Sequence, residues 1–225
     1  MTRKHRAPRY DGLFPQPAPL DGHPDDQGWL AWEGLKSSKR YTPRPRITST
    51  THPYEVWSVS RMALTGYPGG LGIAAAPGRV APHSQEGPTE RDLAADLARL
   101  RDHHGCRHLV SLMEPREMRE NGMEHLPAAA SEAGVDCHLF PLVDLNPPTP
   151  REYHAWDALV ERMWRAVCQG DTVVAHCRGG RGRSGTFAAS VLMRFGWSAD
   201  EAVALLRVAR PSAVDGAQMT FLRSR

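Results

Sequence analysis

The sequence predicts an α/β fold in a single domain, with a central, mostly parallel sheet flanked by helices on both faces. Two observations carry this prediction. From about residue 56 onward, short apolar segments rich in β-branched residues alternate with longer amphipathic segments, the pattern of strands joined through helices. The chain has 225 residues, 40% of them apolar and 24% charged, so it can bury one sizeable core.

The amino-terminal part of the chain differs in composition from this domain. Residues 1–50 are rich in Pro, Arg and Asp and have little periodicity, which indicates an extension and not a second domain. Within it, a short helical patch is expected to dock on the domain through Trp29, Leu30, Trp32 and Leu35. The folded domain is therefore predicted over residues 51–225.

The first predicted elements of the domain are two strands and a helix. Residues 56–59 and 71–74 are predicted to be edge strands around a turn at Pro68-Gly69-Gly70. Thr89 is predicted to cap a helix that ends at Gly105. One face of that helix carries Leu93, Leu97 and Leu100.

The middle of the domain continues the alternation. Strands are predicted over 108–113 and 135–143, with helical turns between them that reach Ala133 and break at Gly134. The next helix has an apolar stripe at 3.6-residue spacing, which we assign to core packing. The stripe consists of Trp156, Leu159, Val160, Met163, Trp164 and Val167.

A glycine- and arginine-rich loop then separates a buried strand over 172–175 from a helix over 187–194, and Ser198 caps a last helix over 199–209. The loop reads His-Cys-Arg-Gly-Gly-Arg-Gly-Arg-Ser-Gly-Thr over 176–186. A strand, a tight loop and a helix amino terminus gather backbone N–H groups around an anion, so this loop is predicted to hold a phosphate. The predicted phosphate-binding residues are Arg178, Gly179, Gly180, Arg181, Gly182 and Arg183.

Each side chain of this loop has an expected role. The helix dipole, the amides and the arginines favour the thiolate form of Cys177, which would make it a nucleophile. Arg183 is expected to clamp two phosphate oxygens with its planar guanidinium. Ser184 is expected to donate to the sulfur, and His176 to hydrogen-bond loop carbonyls from behind. Gly180 and Gly182 are expected to adopt positive φ and let the backbone approach the phosphate.

A proton donor is predicted at Asp144, which follows the strand ending at Val143 and begins a proline-rich loop. One helix and one strand separate Asp144 from Cys177, and such a crossover places the two strand ends side by side. A carboxylic acid there would protonate the leaving oxygen and then act as a base on water. The alternative is a turn residue or helix cap, which would be preferred if Cys177 were not downstream.

Several other classes are excluded. No apolar run reaches about eighteen residues, so no membrane span is expected, and the first residues do not form a secretory signal. The net charge is only +3 and is not gathered into a nucleic-acid-binding face. Four cysteines without paired spacing indicate reduced thiols in the cytoplasm, although a disulfide between Cys177 and another cysteine stays open. The histidines and cysteines near 103–108 fit no closed tetrahedral pattern, so no metal site is expected, and chemistry at a cysteine would require no metal or organic cofactor.

The segment from His176 to Thr186 resembles the signature loop of cysteine-dependent protein tyrosine and dual-specificity phosphatases. The layout over roughly 50–225, including the Leu71–Arg79 segment and Arg91-Asp92-Leu93, is similar to cyclin-dependent-kinase-associated phosphatases and their bacterial relatives. Asp144-Leu145-Asn146-Pro147-Pro148 and the basic residues of the loop resemble phosphatase-and-tensin lipid phosphatases. The resemblance implies Cys177 as nucleophile, Arg183 as phosphate clamp and Asp144 as general acid, with Gln218 as a supporting residue after the last predicted helix.

The resemblance implies a phosphoric monoester hydrolase that forms a cysteinyl-phosphate intermediate. A phosphorylated protein is the first substrate expected. Arg178 and Arg181 leave a phosphoinositide or inositol phosphate as an alternative, since they add positive charge around the mouth of the loop. A phosphate-binding regulatory module without turnover is a further alternative. The sequence does not predict an oligomeric state.

Overall fold

The computed structural model describes residues 44–59, 64, 66–83 and 87–225. All of them belong to one compact unit, Arg44–Arg225. The helical patch predicted at Trp29–Leu35 lies outside the described residues. Ile47 is part of the compact unit, because its backbone N–H donates to the carbonyl of Pro88 at 2.8 Å and its carbonyl accepts from Glu90 at 2.9 Å.

A five-stranded sheet forms the centre of the described unit. In chain order its strands are β1 Val56–Ser58, β2 Gly70–Ala74, β5 Cys106–Ser111, β6 Asp136–Leu139 and β7 Thr172–His176. A separate two-stranded sheet consists of β3 Val80–Ala81 and β4 Thr89–Glu90. The large sheet has the order β1-β2-β7-β5-β6, and only the β1–β2 pair is antiparallel. The predicted mostly parallel sheet is confirmed.

Seven helices complete the described part of the chain. They are α1 Leu93–Asp102, α2 Pro115–Glu120, α3 Leu126–Glu132, α4 Tyr153–Gln169, α5 Gly182–Arg194, α6 Ala199–Ala209 and α7 Gly216–Arg223. The predicted cap at Ser198 is present as a full capping box with Glu201. None of these helices has both the length and the apolar character needed to cross a bilayer.

The helices cover the sheet on both faces, as predicted. Alternate residues of β7 point to opposite faces: Val173 and Ala175 pack with α4, α5, α6 and α7, whereas Val174 packs with α1, α2 and α3. The apolar stripe of α4 lies in the first of these two cores, where Trp156 is fully buried. Core packing of that stripe is therefore confirmed.

Three element predictions are wrong in detail. The cap of α1 is Asp92, whose side chain accepts from the Ala95 N–H at 2.8 Å, because Thr89 is used in β4. β2 is an interior strand between β1 and β7, and its burial from Leu71 to Ala74 fits that position. The strand predicted over 135–143 is observed over Asp136–Leu139, although the Phe140 and Leu142 N–H groups still donate to the Ser111 and Leu112 carbonyls at 2.9 and 3.2 Å.

Candidate active site

The carboxyl end of β7 leads directly into the predicted loop. Cys177 follows the last strand residue, and α5 begins at Gly182, inside the predicted loop and earlier than the Phe187 start expected from the sequence. The first amides of a helix have no carbonyl one turn earlier to accept them, so the start of α5 supplies donors beside Cys177. The predicted arrangement of strand, loop and helix is present.

Two glycines of the loop are needed for different reasons. Gly180 has φ 66°, as predicted, and a Cβ there would lie 2.5 Å from the backbone carbon of Ala74. Gly182 does not have positive φ, so this part of the prediction is wrong, because Gly182 is the first residue of α5. Its lack of a side chain instead makes room for Gln218, whose Nε2 would be 2.9 Å from a Cβ at Gly182.

Cys177 lies at the bottom of the loop with only 4% of its surface exposed. Its Sγ is 3.4 Å from the Oγ of Ser184, a residue of the first turn of α5. The hydroxyl is thus placed to donate to the sulfur, as expected from the sequence. Cys177 and the other three cysteines of the chain are all free thiols in the structure.

Arg183 is almost fully buried, with 1% of its surface exposed. Its Nη1 donates to the Leu142 carbonyl at 3.0 Å and its guanidinium makes two hydrogen bonds to Glu117. Burial alone lowers the pKa of Arg183, but the hydrogen-bonded Glu117 and the charge of Cys177 outweigh it and raise that pKa overall. The buried Nε has no hydrogen-bond partner in the described part of the chain, so it is a donor available for an anion in the loop.

Glu117 is a site residue that the sequence reasoning missed. It lies in α2, and its Oε2 and Oε1 accept from Nη1 and Nη2 of Arg183 at 2.6 and 2.7 Å. α2 follows the carboxyl end of β5, which is adjacent to β7 in the sheet. The sequence could have indicated Glu117, because its carboxylate comes just after β5 and parallel neighbouring strands bring their carboxyl ends to one edge of the sheet.

Asp144 lies over the loop, as the sequence predicted. Its Oδ1 is 3.0 Å from Nη2 of Arg183 and its Oδ2 is 3.0 Å from Nη2 of Arg178. The side chain is 42% exposed. The next residue, Leu145, has φ 64° and donates its N–H to Oδ1 of Asp144 at 3.1 Å. The carboxyl group is thereby fixed at the mouth, between the two arginines.

Cys177 and Asp144 line the same pocket of about 530 Å³. All predicted phosphate-binding residues except Gly180 also line it, and Arg178 and Arg181 are exposed there. Further lining residues that the sequence reasoning did not find are Arg79, Leu145, Ser212 and Asp215.

His176 and Gln218 lie buried behind the loop. Burial lowers the pKa of His176 to about 3, so its ring is neutral. Neither ring nitrogen meets strict hydrogen-bond geometry with a described residue, although the backbone of Cys177 acts on the ring to raise its pKa against the effect of burial, so the bonds to loop carbonyls stay a prediction. Gln218 accepts from the Asp215 N–H at 3.3 Å, while its buried Nε2 has no partner among the described residues.

A second polar cluster lies at the opposite edge of the sheet. His108 contacts a ring nitrogen of His138 and an oxygen of Asp171, each at 3.2 Å. The pKa of His138 is lowered, mainly because burial removes water from its ring and also because His108 lies nearby. In the described part of the chain, no group of three or more His, Cys, Asp or Glu side chains has the arrangement of a metal site.

A buried thiol, an arginine and a carboxylate lie together at this loop, the arrangement that the sequence predicts for a cysteine-dependent phosphatase. Residues 76–225 match the family model described as "Swiss Army Knife protein, DSP-PTPase phosphatase domain". The chain therefore belongs to the dual-specificity and protein tyrosine phosphatase family, and the resemblance stated from the sequence is confirmed.

Two curated relatives agree with this assignment. The chain is 34% identical over 95 residues to the human dual specificity protein phosphatase CDC14C, a match of 41% of this chain and 20% of that protein. It is 31% identical over 127 residues to the protein tyrosine phosphatase PRL-1 of Leishmania major, covering 53% of this chain and 67% of that protein. The chain thus spans only about a fifth of CDC14C.

Solved structures show the same fold. Kinase associated phosphatase superposes with a TM-score of 0.66 and 21% identity, covering 76% of this chain and 93% of that one. PTPMT1 gives a TM-score of 0.53 and 22% identity, covering 68% and 87%. The predicted likeness in layout to kinase-associated phosphatases is confirmed at the level of the fold.

Proposed function

We propose that this chain hydrolyses phosphoric monoesters through a cysteinyl-phosphate intermediate, as a protein tyrosine or dual-specificity phosphatase. The observation that carries the proposal is the shared pocket of Cys177, Arg183 and Asp144, in which Asp144 lies 3.0 Å from the guanidinium of Arg183. These are the nucleophile, clamp and proton donor that the reaction needs: Cys177 and Arg183 follow β7, and Asp144 follows β6.

The first step transfers the phosphoryl group to the enzyme. Substrate phosphate enters the loop and its oxygens accept hydrogen bonds from the loop amides and Arg183. The Cys177 sulfur attacks phosphorus, the bond from phosphorus to the ester oxygen breaks, and Asp144 protonates the departing oxygen. Because Asp144 is paired with Arg183, the incoming phosphate competes with it for this guanidinium group.

The second step returns the enzyme to its starting state. Asp144, now a carboxylate, takes a proton from water, and the resulting oxygen nucleophile attacks phosphorus. The bond from sulfur to phosphorus breaks, and the sulfur leaves as a thiolate that Ser184 can stabilise from 3.4 Å. Phosphate is released. No metal or organic cofactor takes part in the proposed steps.

The test uses Cys177→Ser and, as a matched control, Cys168→Ser, which changes a half-buried thiol that is not among the pocket-lining residues. We expect Cys177→Ser to lose turnover of an aryl phosphate while it still binds tungstate, because the loop amides and Arg183 remain. Cys168→Ser and added chelator should leave turnover unchanged. Full activity of Cys177→Ser would overturn the proposal.

A phosphoinositide or inositol phosphate is the second candidate substrate. The observation that favours it is the positive charge of Arg79, Arg178 and Arg181 around the same pocket. PTPMT1, which shares the fold, has been solved in complex with PI(5)P. Turnover of phosphotyrosyl peptide, phosphoseryl peptide and phosphoinositide by the unmodified chain separates these candidates. Tungstate binding without turnover of any of them would indicate a phosphate-binding regulatory module.

We also propose that the chain acts in the cytoplasm. A thiolate mechanism requires a reduced nucleophile, and the four cysteines of the chain are free thiols. Residues 1–50 are proposed to be an extension of the phosphatase domain. Activity that depends on a reductant in the assay would support the compartment, and full activity of oxidised protein would contradict it.

A further inference from the structure

The pocket around Cys177 receives arginines from two separate parts of the chain. Arg178 belongs to the phosphate-binding loop, whereas Arg79 follows β2, and both line the same pocket of about 530 Å³. In the proposed chemistry Arg183 binds the reacting phosphate, and Arg79 has no role in either step.

Arg79 is held in position at three points. The preceding N–H, that of Gly78, donates to Oδ2 of the buried Asp96 at 2.8 Å. The Arg79 carbonyl accepts from the Arg91 N–H at 3.0 Å. Its Nε donates to Oδ1 of Asn121 at 3.3 Å. The first two contacts fix the backbone around Arg79, and the hydrogen bond to Asn121 holds the side chain itself, so the guanidinium loses less freedom when it binds a ligand.

The partner of Arg79 places it beside Arg178. Asn121 caps the carboxyl end of α2, and its Nδ2 donates to the Glu117 carbonyl one turn earlier, at 2.7 Å. The Nε of Arg178 lies 3.9 Å from Oε1 of that same Glu117. Residues four apart lie on one face of a helix, separated by about 6 Å along the axis. Arg79 and Arg178 therefore contact α2 at residues one turn apart, while Arg178 also pairs with Asp144 at 3.0 Å.

We propose that Arg79 and Arg178 form a second anion subsite beside the phosphate-binding loop, and that it selects a substrate with a second phosphate. The inference rests on the proposed function and names the substrate class of the same site. The planar guanidinium of an arginine matches two oxygens of a phosphate, so two such groups lining one pocket suit a second phosphate. The reacting phosphate lies on Cys177 and Arg183, and the second phosphate lies on Arg79 and Arg178.

The single pocket favours a compact substrate. Both phosphates must lie within one cavity, so they belong on one small scaffold such as an inositol ring, either free or as a lipid headgroup. In an extended peptide, successive side chains point to opposite sides. A second phosphorylated residue next to the first would therefore point out of this pocket.

The experiment measures binding without turnover, in the Cys177→Ser background, by calorimetry. The probes are an inositol monophosphate and an inositol bisphosphate with neighbouring phosphates. We expect the bisphosphate to bind roughly tenfold more tightly, as one additional charge-assisted contact predicts. Arg79→Ala should remove most of this preference. Arg79→Gln, which keeps a polar side chain against Asn121, should have the same effect and serves if the alanine variant does not fold.

Arg116→Ala is the matched control, because it removes an arginine on the solvent side of α2 that pairs with Glu120. It should keep the full preference. Equal affinities for the two probes, or an equal loss with Arg116→Ala, would overturn the subsite. The subsite for a compact substrate would also be overturned if Arg79 increased the affinity for a doubly phosphorylated peptide but not for the inositol bisphosphate.

Two further arms complete the design. A short-chain phosphatidylinositol bisphosphate distinguishes a lipid headgroup from a free inositol phosphate: dependence on Arg79 with either one supports the subsite. Failure of the proposed function shows separately, as absence of turnover by the chain with Cys177 intact, since the binding measurement requires no chemistry.

Discussion

Glu117 holds the guanidinium of Arg183 with both carboxylate oxygens, at 2.6 Å from Nη1 and 2.7 Å from Nη2. Arg183 is buried and the Glu117 side chain is nearly so, so the pair is shielded from water. The bond fixes the plane of the guanidinium at the edge of the pocket. Glu117 does not have to touch substrate, and it acts by positioning Arg183.

Replacement of Glu117 tests this positioning role. Glu117→Ala removes the bidentate partner of Arg183 and leaves Asp144 as its remaining carboxylate, which costs at most on the order of 3–5 kcal/mol. We expect a lower free energy of unfolding and a loss of about tenfold or more in tungstate affinity. Glu117→Gln keeps an acceptor for Arg183 and should restore part of that affinity. Glu120→Ala, on the exposed side of the same helix, is the control and should change neither quantity.

The contact between Glu117 and Arg183 also shows where sequence reasoning stops. The phosphate-binding loop is contiguous, so its residue types and their order predict its chemistry. Glu117 is 66 residues away from Arg183 and meets it only because β5 and β7 are neighbours in the sheet. Strand order is a property of the folded core and is not encoded in any local pattern.

Two wrong predictions, for Thr89 and Gly182, have causes in the tertiary structure around each residue. Thr89 has the right chemistry for a helix cap, but it pairs with Ala81 in the small sheet, and Asp92 caps α1 instead. The sequence predicts positive φ at Gly182, yet Gly182 is helical and a side chain there would instead crowd the end of Gln218. The residue type limits which local conformations and roles are available, and the contacts in the folded protein determine which of them is adopted.

Ser184 is predicted to act on the second step. Its Oγ lies 3.4 Å from the Cys177 sulfur, where it can stabilise the departing thiolate. We expect Ser184→Ala to form phosphoenzyme at nearly the normal rate and to hydrolyse it slowly, which rapid-quench measurements show as a burst. Ser190→Ala removes a hydroxyl elsewhere in α5, where it bonds to the Thr186 carbonyl, and should give no burst. A variant of Ser184 that is slow in the first step alone would contradict this assignment.

Asp144 is predicted to protonate the leaving group. Asp144→Asn should reduce turnover of alkyl phosphates by roughly 10²–10⁴-fold, because their alkoxides need a proton to leave. Turnover of 4-nitrophenyl phosphate should fall much less, since nitrophenoxide leaves well without one. Asp157→Asn is a control of similar exposure, in α4, and should affect neither substrate. An equal loss with both leaving groups would argue against an acid role.

The backbone of the loop gives a final test with two adjacent glycines. Gly180 has φ 66°, and a Cβ there would meet the Ala74 backbone at 2.5 Å, whereas a Cβ at Gly179 would meet nothing within 4 Å. Gly180→Ala therefore combines a left-handed conformation, which costs about 1–2 kcal/mol, with a clash against backbone that cannot move aside. We expect Gly180→Ala to lower the free energy of unfolding by more than that amount and Gly179→Ala to leave it nearly unchanged, as measured by urea denaturation. Equal stability of the two variants would mean that the loop does not close on the end of β2 in the way the structure shows.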